Sequence, residues 1–390
     1  MMSFLSGSKV FASSFHSRAE YLNCLIAAPL ELAICSGCFQ LNGRSIIIWD
    51  GPFVPNLFMK AMILAAGFGT RLFPLTIDRT KPAIPFLGKP LVGYVAEYIA
   101  RYGVTDIVVN LHHQPQSVIE ALGDGSSFGV NIEYTIEKPE ILGTSGALDF
   151  ARSHLENDTF IIVNGKIITD IDVAAAVETH KRSGAIATMV LKENHKREKF
   201  TVVHTRDGMI DYFGPHAAPV SESELRDTEH DIVTPLMFTG IHILEPAVLD
   251  LIPRGVYSDT VTDIYIPYIK GGGKIAAHVA EGEWFELSTI PRYLDISLAM
   301  MGSGNVHVGR NFVMAGAVSV KDSVIWDDVT IGDGATLYRT IIADGVTIEP
   351  GEHFENVAIV RADMVRSCQE IPEKALKGYV QGENYIVPLN

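Results

Sequence analysis

The chain has 390 residues, 47% hydrophobic and 20% charged, enough for two or three domains around a large buried core. Its formal net charge of −15 excludes a general nucleic-acid or anionic-membrane surface, which would need clustered Lys and Arg. A small phosphorylated ligand, held by a few local cations, is still allowed. Three of the four cysteines (Cys24, Cys35, Cys38) lie near the N-terminus and the fourth is Cys368. No disulfide framework is visible, and a reducing cytoplasm fits best. Cys35-x-x-Cys38 alone is a weak redox or metal signal.

Residues 1–58 differ from the rest. Lys9, Arg18 and Arg44 cancel Glu20, Glu31 and Asp50, so the whole net charge falls in residues 59–390. The apolar run at 22–39 contains Pro29 and Glu31, too broken for a membrane span and too far from Met1 for a secretory signal. At Met59 the texture changes to a buried strand entering a glycine loop. Met59 reads as the natural start, with 1–58 an N-terminal extension.

From 59 to 303, the apolar stretches AMILAA, DIVVNL, NIEYTI, FIIVN, IATMVL and MFTGIHIL predict strands. LVGYVAEYIARYG, QSVIEALG, SGALDFARSHL, DVAAAVETHKRSG and PRYLDISLAMM predict helices. Strands apolar on both faces, alternating with amphipathic helices, indicate an α/β fold with a Rossmann-like, mostly parallel sheet. Ligands of such sheets bind beyond the carboxyl ends of the strands, here after AMILAA and FIIVN.

The first of these loops is LAAGFGTRLFPLTIDRTKPAIPFLGKP, residues 64–90. Gly67 and Gly69 permit a sharp turn and close approach of backbone N–H groups to an anion. Arg71 offers a forked donor and Lys81 a point charge, together suited to a polyphosphate. A dinucleotide fingerprint would need glycine where Leu72 stands, and a Walker loop would need Ser or Thr where Pro90 follows Gly88-Lys89. The second loop, in IIVNGKIITDID at 161–172, places Lys166 just past a strand end.

His112 and His113 follow a strand and are expected to point in opposite directions, against joint metal chelation. Glu137-Lys138-Pro139 reads as a solvated turn, and SESELRDTEHD at 221–231 as a solvated loop. From Gly304 to 362, aliphatic residues recur every six positions (Val308, Met314, Val320, then after a one-residue slip Ile325, Ile331, Leu337, Ala343). This period marks a parallel β-helix of roughly three coils, a scaffold packed on the first domain or another subunit. Residues 363–390 read as an irregular C-terminal tail.

GFGTRLFPLT…KPAIPFLGKPLV resembles the signature of the sugar-1-phosphate nucleotidylyltransferases. LGTSGAL at 142–148, VNGKIITDID at 163–172, FTGIHIL at 238–244 and WFELSTIPRYL at 284–294 follow in the family's order. A short left-handed parallel β-helix also occurs in members acting on mannose-1-phosphate or glucose-1-phosphate. The resemblance implies nucleoside monophosphate transfer from a triphosphate to a sugar-1-phosphate. By overall likeness the first pair to expect is GTP with mannose-1-phosphate, followed by dTTP or UTP with glucose-1-phosphate. The short β-helix points to a homo-oligomer, and the acidic charge to neither nucleic-acid nor membrane partners.

Position by position, the resemblance places Leu64, Ala65 and Gly67 along the nucleotide. It puts Gly69, Thr70, Arg71 and Lys81 on the triphosphate, and Gly143, Thr144, Ser145 and Gly146 against base and ribose. Asn164 and Gly240 fall where the family contacts the sugar. A lysine that members use on the sugar phosphate has no counterpart in Phe213-Gly214-Pro215.

Members hold Mg2+ with two aspartates. This chain has Lys166 at the first position and Glu286 at the second. Two unit charges about 4 Å apart at an effective dielectric near 20 interact by ~4 kcal/mol, and a divalent ion beside a lysine by about twice that. Three readings stay open. Lys166 serves the α-phosphate while Glu286 holds a displaced metal; or Lys166 turns away and Asp170 or Asp172 restores a metal site; or the chain binds nucleotide as a regulatory subunit without turnover.

Overall fold

A computed structural model describes residues 38–41, 44–47, 57, 59–216, 234–302 and 304–389. Cys35, most of the apolar run at 22–39 and the acidic stretch 221–231 lie outside them. The chain divides into two units, 1–50 and 51–390. Of the first, only an antiparallel hairpin of Cys38–Leu41 with Arg44–Ile47 is described.

The second unit is built on a nine-stranded sheet. Its strands, and one short pair beside it, are β1 (Lys60–Leu64), β2 (Asp106–Leu111), β3 (Asn131–Ile136), β4 (Phe160–Asn164), β5 (Ile167–Thr169), β6 (Ala187–Glu193), β7 (Thr201–Arg206), β8 (Met209–His216), β9 (Leu236–Leu244), β10 (Ile275–Val279) and β11 (Trp284–Glu286). Across the sheet the order is β6-β10-β8-β7-β9-β4-β1-β2-β3, while β5 and β11 pair separately with each other. The sequence period of two shows in β1: Ala61 and Ile63 enter the core of one face, and Met62 enters that of the other. Burying a side chain the size of Ile63 or Met62 stabilises the fold by roughly 1.5–3 kcal/mol.

All six predicted strands are present, but the sheet is mixed, not mostly parallel. β4, β1, β2 and β3 run parallel, whereas β9 runs antiparallel to β4 and to β6, and β7–β8 is a hairpin. Apolarity on both faces reports burial, not strand direction. The predicted helices form as α1 (Leu91–Ala100), α2 (Pro115–Leu122), α3 (Gly143–Phe150), α4 (Val173–Ser183) and α5 (Ile290–Met301). Asp172 caps α4 by accepting from the N–H of Ala174 and Ala175, and Thr289 caps α5.

Beyond residue 304 the chain coils in parallel ladders. Val306 pairs with Ser323, Val313 with Thr330 and Ser319 with Thr336, a constant step of 17 residues. The six-residue period therefore slips by one in every coil. Ile325, Ile331, Leu337, Ile342, Ile348 and Phe354 share its core. The expected irregular tail is instead a hairpin, Tyr379–Gln381 with Asn384–Pro388, whose second strand lies antiparallel on His353–Arg361. Its apolar NYIVP closes the open edge of the coil.

The coil is fastened to the loop between Arg71 and Lys81. Arg79 pairs with Asp344 at 2.7 Å and lies 5.5 Å over the Trp326 ring. Trp326 Nε1 donates to the Tyr293 hydroxyl on α5, which donates to the Pro85 carbonyl at 2.7 Å.

Candidate active site

β1 ends between β4 and β2, so Leu64 stands in register with Asn164 on one side and Asn110 on the other. The glycine loop leaves the sheet here. Gly69 is left-handed (φ 68°), and a Cβ on it would lie 2.9 Å from that of Lys81, so only glycine brings Lys81 this close. Gly67 faces open space and Arg71 and Phe68 are exposed, while Thr70 is half-buried.

On the other side of β1, Gly165 donates its N–H to the Leu64 carbonyl and the chain turns at Lys166 into β5. β5 pairs antiparallel with β11, bringing Glu286 opposite Ile167. The Lys166 ammonium makes an ion pair with Glu286, whose side chain is only 9% exposed against 35% for Lys166. Burial raises the Glu286 pKa, but the charge and hydrogen bond of Lys166, with Lys81 and Arg71 behind it, hold it below the usual carboxylate range. Burial, then repulsion from Lys166 and Arg71, pulls Lys81 down to about 7 against the attraction of Glu286. Three cations and one carboxylate thus form a single electrostatic cluster.

This geometry corrects the expected metal ligand. The Glu286 carboxylate is taken by Lys166, so the residues do not fit Mg2+ there. Asp170 accepts from the N–H of Glu283 and Asp172 caps α4. Among the described residues, no group of three or more His, Cys, Asp or Glu is placed to hold a metal.

Asn164 and Gly240 meet where β4 and β9 pair. Gly240 has φ 85°, and a Cβ there would overlap the Asn164 amide. The 143–146 segment opens α3 and is locked to 256–260. Gly143 and Gly146 lie against that backbone, the Ser145 hydroxyl meets that of Ser258, and Thr144 Oγ1 donates to Asp259 and accepts from Thr260 N–H. The Thr144 and Ser145 side chains are therefore committed to protein, which leaves the backbone of this segment for a ligand.

Two expectations near the glycine loop fail. β2 stops at Leu111, so strand alternation does not govern His112 and His113. Their rings both approach Phe68, at 5.6 and 5.2 Å between centroids. Glu137, read as solvated, is fully buried and bound to Asn110 and the Leu142 N–H. Neither Asn110 nor Glu137 carries a sequence signal beyond its place at a strand end.

Residues 60–302 match the Nucleotidyl transferase family. The chain belongs to it. Within this family it is similar to a UTP–glucose-1-phosphate uridylyltransferase of Synechocystis sp., 32% identical over 307 residues, 74% of this chain and 76% of the relative. A mannose-1-phosphate guanyltransferase of Schizosaccharomyces pombe is 32% identical over 284 residues, 70% and 73% of the two chains. These likenesses make the protein a sugar-1-phosphate nucleotidyltransferase, as its motifs had suggested. The crystal structure of HddC from Yersinia pseudotuberculosis shares the fold, with TM-score 0.52 and 22% identity, covering 61% of this chain and 98% of that one. Among the described residues, no helix of this nucleotidyltransferase is long and apolar enough to cross a membrane.

The buried lysine makes a pH prediction. Lys81 carries its charge below its pKa of about 7 and loses it as pH rises. Since the lysine would bind phosphate oxygens, kcat/KM for the nucleotide should fall above about pH 7, with a slope approaching one log unit per pH unit. The ligand's own phosphate ionisation runs the other way, adding negative charge as pH rises. A profile that is flat or rising from about pH 6.5 to 8.5 would show that Lys81 does not meet the triphosphate.

Proposed function

We propose that this enzyme transfers a nucleoside monophosphate from GTP to mannose-1-phosphate. An oxygen of the sugar phosphate forms a bond to the α-phosphorus, the bond to the β-phosphate oxygen breaks, and pyrophosphate leaves. The observation that carries this is the cluster of Arg71, Lys81 and Lys166 around Glu286, at the carboxyl ends of β1 and β4. Both reactants are anions, so neutralisation and alignment account for most of the catalysis.

In this reading Gly67, Gly69 and Thr70 present the glycine loop to the phosphates. Leu64, Ala65 and the backbone of 143–146 border the nucleoside, and Asn164 and Gly240 receive the sugar. Lys166, held by Glu286, supplies the positive charge at the α-phosphate, and no step runs through a protein-held metal. Any Mg2+ would be carried by the nucleotide and would neutralise phosphate charge. The guanylyl transferases among the relatives support GTP, and uridylyl transfer to glucose-1-phosphate is the nearest competitor.

The deciding assay is pyrophosphate release by the full chain over the common nucleoside triphosphates and a panel of sugar-1-phosphates, with Mg2+ and with chelator, beside Lys166→Asp. Turnover by the wild type with GTP and mannose-1-phosphate is expected. Silence in the wild type with activity in the aspartate variant would instead assign the chain a binding, regulatory role.

The coil in this reading is left-handed, and the setting a reducing cytoplasm. The coil also joins copies of the chain. Val308, Val313 and Met314 on its first turn are all exposed, with no preceding turn among the described residues to cover them. Sedimentation at micromolar concentration should give a dimer or larger species, and Val313→Glu with Met314→Glu should dissociate it. A wild-type monomer would end this part of the reading.

A further inference from the structure

Asn110 and Glu137 sit at the carboxyl ends of β2 and β3, 3% and 0% exposed. The Ala65 N–H, at the start of the glycine loop, donates to Asn110 Oδ1 at 2.9 Å. Asn110 Nδ2 donates to Glu137 Oε1 at 2.7 Å, and the Leu142 N–H donates to Glu137 Oε2, also at 2.7 Å. The His112 ring Nδ1 meets the Glu137 carbonyl at 3.0 Å, and the same ring edges against Phe68 of the glycine loop.

This chain of bonds begins and ends on a backbone donor. An amide inserted between two donors supplies one acceptor and one donor, so the remaining member must accept at both its ends. Among side chains of this size, only a carboxylate accepts through two separate oxygens. Burying such a group is costly unless each of its bonds is kept, and an apolar pair would leave the Ala65 and Leu142 N–H groups without acceptors. We propose that Asn110 and Glu137 form a positioning pair of fixed polarity, which holds the glycine loop to the 142–146 segment at the spacing the nucleotide requires. The proposal rests on the nucleotide reading above. Neither residue is catalytic; both act through the backbone of Ala65 and Leu142.

The polarity argument supplies the test. Glu137→Gln alone sets amide hydrogens against either Leu142 N–H or Asn110 Nδ2. Asn110→Asp alone sets two carboxylates face to face. The double variant Asn110→Asp/Glu137→Gln restores each bond with the polarity of the middle one reversed. Ala65 N–H donates to the new carboxylate, the new amide donates to that carboxylate, and Leu142 N–H donates to the amide oxygen.

In the full chain, each single variant should raise the nucleotide Kd and KM roughly tenfold or more, with the sugar-1-phosphate KM within about twofold of wild type. The double variant should return to within about threefold of wild type in both nucleotide constants. Double variants that bind as weakly as the singles, or that do not fold, would overturn the proposal. So would single variants whose losses fall equally on both substrates. Nucleotide affinity, read by titration with a fluorescent GTP analogue, separates this test from the activity itself. A wild type that binds but does not turn over removes the proposed reaction and leaves the positioning pair testable.

Discussion

Lys166→Ala should lower kcat/KM by about 10²–10³-fold. The size follows from removing one pre-organised positive group aimed at the charge that moves during phosphoryl transfer, an effect usually worth ~3–4 kcal/mol. A second effect adds to it. The variant leaves Glu286, 9% exposed, without its partner and facing the nucleotide as a bare negative charge. Lys166→Ala with Glu286→Gln should therefore be less impaired than Lys166→Ala alone, by about tenfold, because the repelling charge is gone. Steady-state kinetics with saturating sugar-1-phosphate measures both. If Lys166→Ala stays within threefold of wild type, the ion pair is structural and the α-phosphate is served by other groups.

Gly240→Ala should weaken sugar-1-phosphate binding by roughly 10–100-fold while leaving nucleotide affinity unchanged. The new Cβ meets the Asn164 amide, at a backbone φ of 85° that L-residues rarely adopt. Strain of this kind costs on the order of 1–3 kcal/mol, and Asn164 must move to relieve the overlap. Because Asn164 receives the sugar in this reading, the displacement falls on the acceptor side of the cleft. Isothermal titration with each substrate separates the two affinities, and a thermal melt should show a loss of a few degrees, about 2–4 °C per kcal/mol. An unchanged sugar-1-phosphate KM would remove Asn164 and Gly240 from the sugar site.

What the sequence disclosed, and what it hid, follows from the range over which each signal acts. The strands Lys60–Leu64 and Phe160–Asn164 were legible because a run buried on both faces is apolar throughout. Their neighbour Leu236–Leu244 was legible as a strand but not as an antiparallel one, since direction leaves no mark on composition. Lys166 and Glu286 each stood out as departures from the family's metal positions. That they satisfy one another depends on the pairing of β5 with β11, a contact between distant segments that no local pattern encodes. Glu137 misled for the converse reason. A charge followed by Lys and Pro looks like a wet turn, and only the closing of 142–146 over it makes it a buried hinge-pin. The tail Asn384–Pro388 was too short and too mixed to declare itself before an open edge was known to need covering.

The fastening of the coil to the phosphate loop has a consequence for biosynthesis. Arg79 and Pro85 bracket Lys81, and their partners Asp344 and Tyr293 are supplied from the other end of the polypeptide, Pro85 and Tyr293 being 208 positions apart. A ribosome therefore delivers the loop long before it delivers the anchors. The nascent sheet can collapse around β1 and β4 while the segment carrying Lys81 is still untethered. The Arg79–Asp344 and Tyr293–Pro85 contacts on either side of Lys81 therefore form only after β1 and β4 have been made.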